Sequence, residues 1–187
     1  KAEREVFTNE KVSNLLTIFE DIPHRESAWN IDMEYKNKYW ELIKSESSLL
    51  LEDNEVRSVV RTVKKFNKST ITQDIILEKD AKRVDFVTHV DWYETQRMLK
   101  AAFYTDILSP KATYEIQFGS IERPTHYNTS YDRAKFEVCG HKWADLSEGL
   151  YGVSILNDCK YGYDVHQNVM RLTLLKGILL GGVLSRS

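Results

Sequence analysis

Polar side chains that could bind a sugar are concentrated in two short loops in the second half of the chain. The first loop, ERPTHYNTSYD, follows a strand-like run that ends at Phe118-Gly119. Its guanidinium, imidazole, amide and carboxylate groups can hydrogen-bond to sugar hydroxyls, or they can simply tie down their own long turn. Both interpretations stay open on the residues alone. The candidates are Arg123, His126, Asn128 and Asp132.

The second loop, NDCKYGYD, combines a cation, hydrogen-bond acceptors and aromatic rings in one short run. Tyr161 and Tyr163 offer rings that could stack on a pyranose, and Gly162 allows a tight turn. The same residues could serve only to shape that turn, so here too the structural alternative stays open. The binding candidates are Asn157, Asp158, Lys160 and Tyr161.

Metal binding and catalysis have weaker support in the sequence. His126 and His141 could be metal ligands, but no HxxxH or CxxC spacing accompanies them, and a hydrogen-bonded structural histidine is the commoner case. Asp132 and Asp145 could form a glycosidase carboxylate pair, yet most pairings among 28 acidic residues are accidental. The chain also has no GxSxG, HExxH or glycine-rich phosphate-binding motif.

The charge balance limits the classes of binding partner, and the cysteines bear on the cellular compartment. The chain has 26 basic and 28 acidic residues, which argues against a nucleic-acid or membrane-surface partner because either would favour a basic excess. The apolar run from Gly177 to Leu184 is too short to span a bilayer, which takes about 20 apolar residues. Two cysteines, Cys139 and Cys159, make no disulfide framework and indicate a reducing compartment.

The elements that must position these loops are predicted to be strands. Runs such as VDFVTHVDW and ATYEIQFGSI alternate with period two, and β-branched residues dominate the run VRSVVRTVKKF. The stretch ETQRMLKAAF hints at a helix, but its context favours a strand or an irregular crossover. Short strands separated by Asp, Asn, Ser, Gly and Pro predict an all-β fold, an antiparallel β-sandwich with long loops.

Three segments are predicted along the chain. Residues 1–45 are aromatic and charged with little alternation, and we expect an irregular lead-in that packs on the sandwich, with a helical turn around Met33 to Ile43. Residues 46–176 form the β-sandwich domain, and residues 177–187 form an atypical tail. Because the chain starts with Lys1 rather than Met, we expect it to be a piece of a longer polypeptide.

Several long blocks of the sequence resemble the C-terminal region of glycoside hydrolase family 38 α-mannosidases. These blocks are FEDIPHRESAWNID, RPTHYNTSYD, HKWADLSE and LNDCKYGYD, and the similarity extends over roughly residues 15–175. It is strongest to the cytosolic or vacuolar branch of the family. The resemblance implies a galactose-mutarotase-like supersandwich and a cytoplasmic location, with a vacuolar one as the alternative.

The same resemblance implies a zinc-dependent retaining exo-α-mannosidase that acts on α-mannoside oligosaccharides. In that family an N-terminal β/α barrel holds the zinc, the nucleophile and the acid/base carboxylate, and no motif of this chain matches them. We therefore expect no catalytic residue and no metal ligand here. The chain's partner would be the enzyme's own N-terminal catalytic domain, and the fragment alone would be inactive.

The expected contribution of the chain is a wall of the substrate pocket, built from NDCKYGYD first and from RPTHYNTSYD second. HKWADLSE is expected to pack structurally, with Trp143 as its anchor. After Leu175 the sequence departs from the family, so exposed strand edges would favour an oligomer. The alternatives are a stand-alone carbohydrate-binding module and a purely structural domain.

Overall fold

The computed structural model of the chain describes residues 4–8 and 12–178, and within them the fold is built from antiparallel strands. The first seven strands are β1 (Leu15–Glu20), β2 (Tyr39–Glu41), β3 (Ser47–Asp53), β4 (Arg57–Phe66), β5 (Ser69–Glu78), β6 (Asp85–Asp91) and β7 (Arg97–Tyr104). The next seven are β8 (Lys111–Ile116), β9 (Gly119–Pro124), β10 (Val138–Cys139), β11 (Trp143–Glu148), β12 (Tyr151–Leu156), β13 (Gly162–His166) and β14 (Val169–Gly177). A 3₁₀ helix (Met33–Asn37) and a short α-helix, α1 (Ser130–Ala134), complete the described elements.

The described residues form two compact units. The first unit holds those up to Glu41 together with Arg97–Lys176, and the second holds Leu42–Gln96 with residues 177 and 178. The first unit contains a six-stranded sheet in the order β10-β13-β14-β7-β1-β2 and a four-stranded sheet in the order β12-β11-β8-β9. Both candidate loops therefore belong to the first unit.

The core of the first unit lies between its two sheets. Strand alternation explains it: in β11, Ala144 and Leu146 are buried, while Trp143 and Asp145 point to the other side of the sheet. In β13, Tyr163 and Val165 enter the same core, and Asp164 points to the opposite face. The buried cluster consists of Ile107, Ala112, Tyr114, Ala144, Leu146, Tyr163, Val165, Met170 and Leu172.

The second unit is a four-stranded meander in the order β3-β4-β5-β6. β4 and β5 pair over their full lengths, from Phe66↔Ser69 to Arg57↔Glu78, with a two-residue turn between them. Asn67 opens that turn with a φ of 49°. Asn tolerates the left-handed region better than most residues, and such turns match the twist of paired strands, so the local sequence explains this hairpin.

The predicted all-β antiparallel sandwich is confirmed, and most of the ETQRMLKAAF stretch belongs to the strand β7. The lead-in differs from the expectation, because Leu15–Glu20 is a strand that pairs with both β2 and β7. Its sequence LLTIFE is almost continuously buried, so it lacks the alternation that marks a half-exposed strand. The 3₁₀ helix falls within the span where a helical turn was expected. Most of the predicted tail lies outside the described residues, since only 177 and 178 of it are described.

Candidate functional site

Asn157 organises the turn between β12 and β13. Its Oδ1 accepts a hydrogen bond from Lys160 N at 2.5 Å, and its Nδ2 donates to His141 O at 3.2 Å and to the Tyr163 hydroxyl. Its backbone N donates to Lys142 O at 2.8 Å. Asn157 therefore satisfies the turn's own polar groups, as Asn side chains commonly do in tight turns.

The remaining candidates of this turn present three kinds of group to the surface. Tyr161 is 52% exposed, and its ring meets the His141 ring edge-on with centroids 5.8 Å apart. Asp158 is exposed, and its pKa is lowered mainly by a hydrogen bond from the Cys159 thiol. Lys160 is half-buried, and its positive charge helps to lower the pKa of the neighbouring Asp158. The turn thus offers an ammonium donor, a carboxylate acceptor and a ring face close together.

Arg123, a candidate from the ERPTHYNTSYD loop, packs its guanidinium over an aromatic ring. It lies on β9, and its guanidinium carbon is 4.8 Å from the centre of the Tyr114 ring. Tyr114 meets Tyr163 edge-on at 5.8 Å, which continues the contact towards Asn157. Nη1 of Arg123 is buried without a hydrogen-bond partner in the described part of the chain. Arg123 is therefore held against the Tyr114 ring, with one buried nitrogen that no described residue accepts from.

His126, Asn128 and Asp132 gather around the start of α1. Thr129 and Asp132 form a capping box: Asp132 N donates to Thr129 Oγ1, and Thr129 N donates to Asp132 Oδ2, each at 3.1 Å. His126 Nδ1 lies 3.6 Å from the same Oδ2, and Asn128 N approaches that ring nitrogen at 3.5 Å. The T-x-x-D spacing is close to a helix-start signature. The composition of this stretch predicts a loop, so the short helix is a finding of the structure.

Removing this cap should destabilise the first unit modestly. We expect Thr129→Ala to lower the free energy of unfolding by about 1 kcal/mol, because a donor at the helix start loses its partner. The pKa of Asp132 is lowered chiefly by its hydrogen bond with Thr129. Its contribution is therefore present at neutral pH and is lost as pH falls through that lowered pKa. Urea unfolding at neutral and acidic pH measures both effects.

Ser120→Ala is the matched control for that variant, since Ser120 is another exposed hydroxyl residue on the edge strand β9. It should leave the unfolding free energy nearly unchanged. Equal effects of the two substitutions would show that the cap contributes nothing.

The two candidate loops do not come together. Gln167 N donates to Thr125 O at 2.7 Å, which places the start of the first loop beside the turn after β13. Residues 157–161 of NDCKYGYD precede β13, so the five residues of that strand separate them from the first loop by roughly 15 Å at about 3.3 Å per residue. A single sugar ring can contact only one of them.

A cluster of buried charges, which the sequence analysis missed, lies on the face of the six-stranded sheet opposite the core. The Lys100 ammonium is fully buried and bonds to the Glu137 carboxylate. The Tyr35 hydroxyl oxygen lies 3.2 Å from a carboxylate oxygen of Glu137 and 3.2 Å from one of Asp164, so its single hydrogen can be donated to either. The buried charge cluster consists of Tyr35, Lys36, Lys100, Glu137, Asp164 and Arg171.

The cations of this cluster keep Asp164 ionised. Burial alone would raise the pKa of Asp164, but the positive charges of Lys100, Lys36 and Arg171 together hold it below its ordinary value. Lys36 Nζ lies 3.1 Å and Arg171 Nη1 3.2 Å from Asp164 Oδ2. Burial is also the main reason that the pKa of Tyr35 is raised, so its hydroxyl stays a proton donor. The cluster fastens the 3₁₀ helix and the stretch before β10 to the sheet.

Trp143 and Asp145 lie on the face of β11 that points away from the core. Trp143 is half-buried and, with Thr113, Asp145 and Ser154, lines a shallow depression instead of anchoring the core. Asp145 accepts hydrogen bonds from Ser147 Oγ at 2.5 Å and from Ser154 Oγ at 2.7 Å. These contacts give Asp145 local partners on its own sheet, whereas Asp132 caps α1.

No group of three or more His, Cys, Asp or Glu residues that could hold a metal ion occurs in the described stretches. Within the same residues, no helix has the length and apolar character needed to cross a bilayer. Cys139 and Cys159 are both exposed free thiols.

Comparison with known proteins shows similarity to one family over almost the whole chain. The model of the glycosyl hydrolases family 38 C-terminal domain matches residues 1–180. The chain is 41% identical over 181 residues to α-mannosidase G of Dictyostelium discoideum, which covers 94% of this chain and 17% of that protein. It is 38% identical over 176 residues to α-mannosidase 2C1 of Homo sapiens, covering 92% of this chain and 17% of that protein.

The chain is also similar in sequence to a yeast protein and in fold to solved structures. The α-mannosidase of Saccharomyces cerevisiae is 40% identical over 176 residues, covering 90% of this chain and 16% of that protein. The crystal structure of a glycosyl hydrolase family 38 protein from Enterococcus faecalis has a TM-score of 0.72 at 11% identity, covering 89% of this chain and 23% of that one. The chain thus spans about a sixth of the length of the curated relatives it matches.

Proposed function

Because this chain belongs to the C-terminal domain family of glycosyl hydrolases family 38, we propose that it is the substrate-pocket-shaping part of a retaining exo-α-mannosidase. The enzyme would remove terminal α-linked mannose from oligosaccharides. The observation that carries the proposal is identity of about 40% to named α-mannosidases over more than nine-tenths of the chain. Since the match covers only about a sixth of those proteins, this chain is assigned a supporting role.

The reactive groups are assigned to the N-terminal catalytic barrel. Retaining hydrolysis needs a carboxylate nucleophile and a second carboxyl group as acid and base, about 5 Å apart. Asp132 and Asp145 have structural partners in this chain, which supports keeping both out of the chemistry. The described residues offer no metal-ligand set, so they do not fit the zinc ion that the family implies. In this proposal zinc belongs to the barrel.

The NDCKYGYD turn is the part of this chain proposed to meet the substrate. Its Asn157-centred hydrogen bonds fix the backbone, so Asp158, Lys160 and Tyr161 are presented with little freedom to lose on binding. The Lys160 ammonium would donate to sugar hydroxyls, the Asp158 carboxylate would accept from them, and the Tyr161 ring would pack on the apolar side of the pyranose.

The first loop remains the second choice for substrate contact. Asp132 is already engaged in capping α1, His126 Nδ1 lies 3.6 Å from the Asp132 carboxylate, and Arg123 is engaged with Tyr114. These contacts leave fewer groups available for a sugar than in the NDCKYGYD turn. The first loop would therefore support the pocket without touching the sugar, because the length of β13 separates it from the turn at residues 157–161.

A cytoplasmic location and an oligomeric state complete the proposal. The exposed free thiols of Cys139 and Cys159 are compatible with the reducing cytoplasm, where disulfides are rare. Exposed strand edges would favour association with a second copy or with other parts of the enzyme.

Hydrolysis of an aryl α-mannoside tests the proposed function. The intact polypeptide that carries this chain should hydrolyse the mannoside with retention of anomeric configuration, and residues 1–187 alone should not. Hydrolysis by the isolated chain would overturn the assignment of the chemistry to the barrel. Saccharide binding by an intact polypeptide without any hydrolysis would favour a carbohydrate-binding module instead.

A further inference from the structure

The edge strand β3 of the second unit exposes three consecutive leucines. β3 ends the sheet order β3-β4-β5-β6, and among the described strands it pairs with β4 alone. Leu49, Leu50 and Leu51 are 56%, 63% and 48% exposed. Side chains of a strand point alternately to its two faces, so apolar surface extends around the open edge. The strand therefore presents unpaired backbone groups and apolar side chains together.

The protection that edge strands usually carry is weak in β3. Lysine, proline, a bulge or a very short strand commonly keeps an edge from pairing with another chain. β3 is seven residues long and contains neither Lys nor Pro. It has one register shift, between Leu50 and Glu52, yet the leucines at that shift stay exposed. The composition of the strand thus favours pairing with a further strand.

The acidic end of β3 has its partners within its own hairpin. Arg57 Nη2 lies 2.7 Å from Glu52 Oε2, and Asn54 Nδ2 donates to Glu52 Oε1 at 2.6 Å. Ser58 Oγ donates to Asp53 Oδ1 at 2.6 Å. The bonds from Arg57 and Asn54 also lower the pKa of Glu52. Because these carboxylates are already satisfied, the leucines and the backbone are what the edge offers to a partner.

A second copy of β3 complements this edge in the antiparallel orientation. When the pairing is centred on Leu50, each Leu50 lies opposite its own copy, and the leucines on either side lie opposite each other. Glu52 and Asp53 then lie opposite serines of the other copy, so no two acidic side chains of the strands meet. Parallel pairing in register would instead place like charges side by side, which is destabilising.

We propose that β3 is an interface strand that pairs antiparallel with β3 of a second copy of the polypeptide. The pairing joins the two four-stranded meanders into one continuous sheet about a two-fold axis. The leucines of the two copies cover one another, and the backbone groups of the open edge gain partners. This inference makes the oligomeric state in the proposed function specific, but it does not depend on mannoside hydrolysis.

Sedimentation velocity of the intact polypeptide over a concentration series tests the interface. The wild type should dimerise with rising concentration. Leu50→Lys should raise the dimer dissociation constant by roughly tenfold or more, because two ammonium groups would meet at the two-fold axis. Leu50 is exposed in the single copy, so the variant should keep its fold.

Val87→Lys is the matched control for Leu50→Lys. Val87 is 59% exposed and lies on β6, the opposite edge strand of the same sheet. This variant should leave the dissociation constant unchanged. A wild type that stays monomeric over the series would overturn the interface. A dimer that Leu50→Lys leaves unchanged would also overturn it, since other parts of the polypeptide would then cover β3.

A disulfide at Leu50 tests the orientation of the pairing. Directly opposite residues of antiparallel strands have Cα atoms about 4.5–5.5 Å apart, which a disulfide can bridge. Cys139 and Cys159 are exposed thiols and are first replaced by Ser. In that background, Leu50→Cys should give a covalent dimer on oxidation that a reducing agent separates. The background itself and Val87→Cys should give none. A lack of covalent dimer in Leu50→Cys would overturn the antiparallel pairing.

Aryl α-mannoside hydrolysis by the same samples separates this inference from the proposed function. A wild type that hydrolyses the mannoside but stays monomeric would retain the function and lose the interface. A wild type without hydrolysis, whose dimer Leu50→Lys dissociates, would retain the interface and lose the function.

Discussion

Lys100→Met should destabilise the protein by about 3–5 kcal/mol, the usual cost of removing one partner from a buried ion pair. Lys100 is fully buried and bonds to Glu137, which is itself only 11% exposed. Without the ammonium, Glu137 and Asp164 would be left to share Lys36 and Arg171, which already contact Asp164. Met fills nearly the same volume, so the loss reports charge rather than a cavity. The midpoint and slope of urea unfolding measure it.

Lys111→Met is the matched control for Lys100→Met. Lys111 Nζ lies 2.6 Å from Glu122, but the two side chains are 60% and 59% exposed. Such a surface pair contributes at most about 1 kcal/mol. If Lys100→Met costs no more than Lys111→Met, the buried charge cluster does not hold the 3₁₀ helix and the β10 approach in place.

Acid unfolding gives a second readout of the same cluster. The pKa of Asp164 is lowered in the folded state, so the unfolded chain binds more protons as the solution is acidified. The stabilisation from Asp164 is therefore complete above its ordinary pKa and is lost as pH falls through the lowered value. Removing Lys100 removes the strongest of the cationic contributions to that lowering, so the variant should begin to unfold at a higher pH than the wild type.

Lys160→Ala should lower kcat/KM for an α-mannoside by roughly ten- to hundredfold in the intact polypeptide, the range expected for one charge-assisted hydrogen bond. The unfolding free energy should change by less than about 0.5 kcal/mol, because Lys160 lies in a surface turn and its side chain, among the described residues, interacts only with the charge of the exposed Asp158 and the Cys159 thiol. Steady-state kinetics and urea unfolding together separate these two effects.

Two further substitutions serve as comparisons for the kinetic effect of Lys160→Ala. Lys65→Ala removes an exposed lysine of the second unit and should leave the kinetics unchanged. Asn157→Ala should lower both stability and turnover, because Asn157 holds the turn through His141, Tyr163 and Lys160. Unchanged kinetics in Lys160→Ala would show that the NDCKYGYD turn is purely structural.

The all-β architecture was predictable because period-two alternation and β-branched residues recur along the chain. β1 was missed because LLTIFE is buried on both faces and so shows no alternation. The buried charge cluster lay beyond sequence reasoning for another reason. Its members Tyr35, Lys100, Glu137 and Asp164 are brought together by the sheet order, from segments tens of residues apart.

The candidate loops were recognisable from their composition, but their arrangement was not. The composition of NDCKYGYD predicts one loop, whereas its last three residues begin β13 and Tyr163 enters the core. That strand is what separates the turn at Asn157 from the loop at His126. One feature of the sequence indicates this strand. Tyr163 and Val165 are apolar and flank the polar Asp164, which is the alternation of a strand with one buried face.

A crystal structure of the intact polypeptide with a thio-linked mannoside bound tests the central claim most directly. The account predicts that the turn from Asn157 to Tyr161 borders the catalytic pocket, with Lys160 Nζ or the Asp158 carboxylate within hydrogen-bonding distance of the sugar. A turn that faces bulk solvent, with the bound sugar contacted only by the barrel, would contradict it.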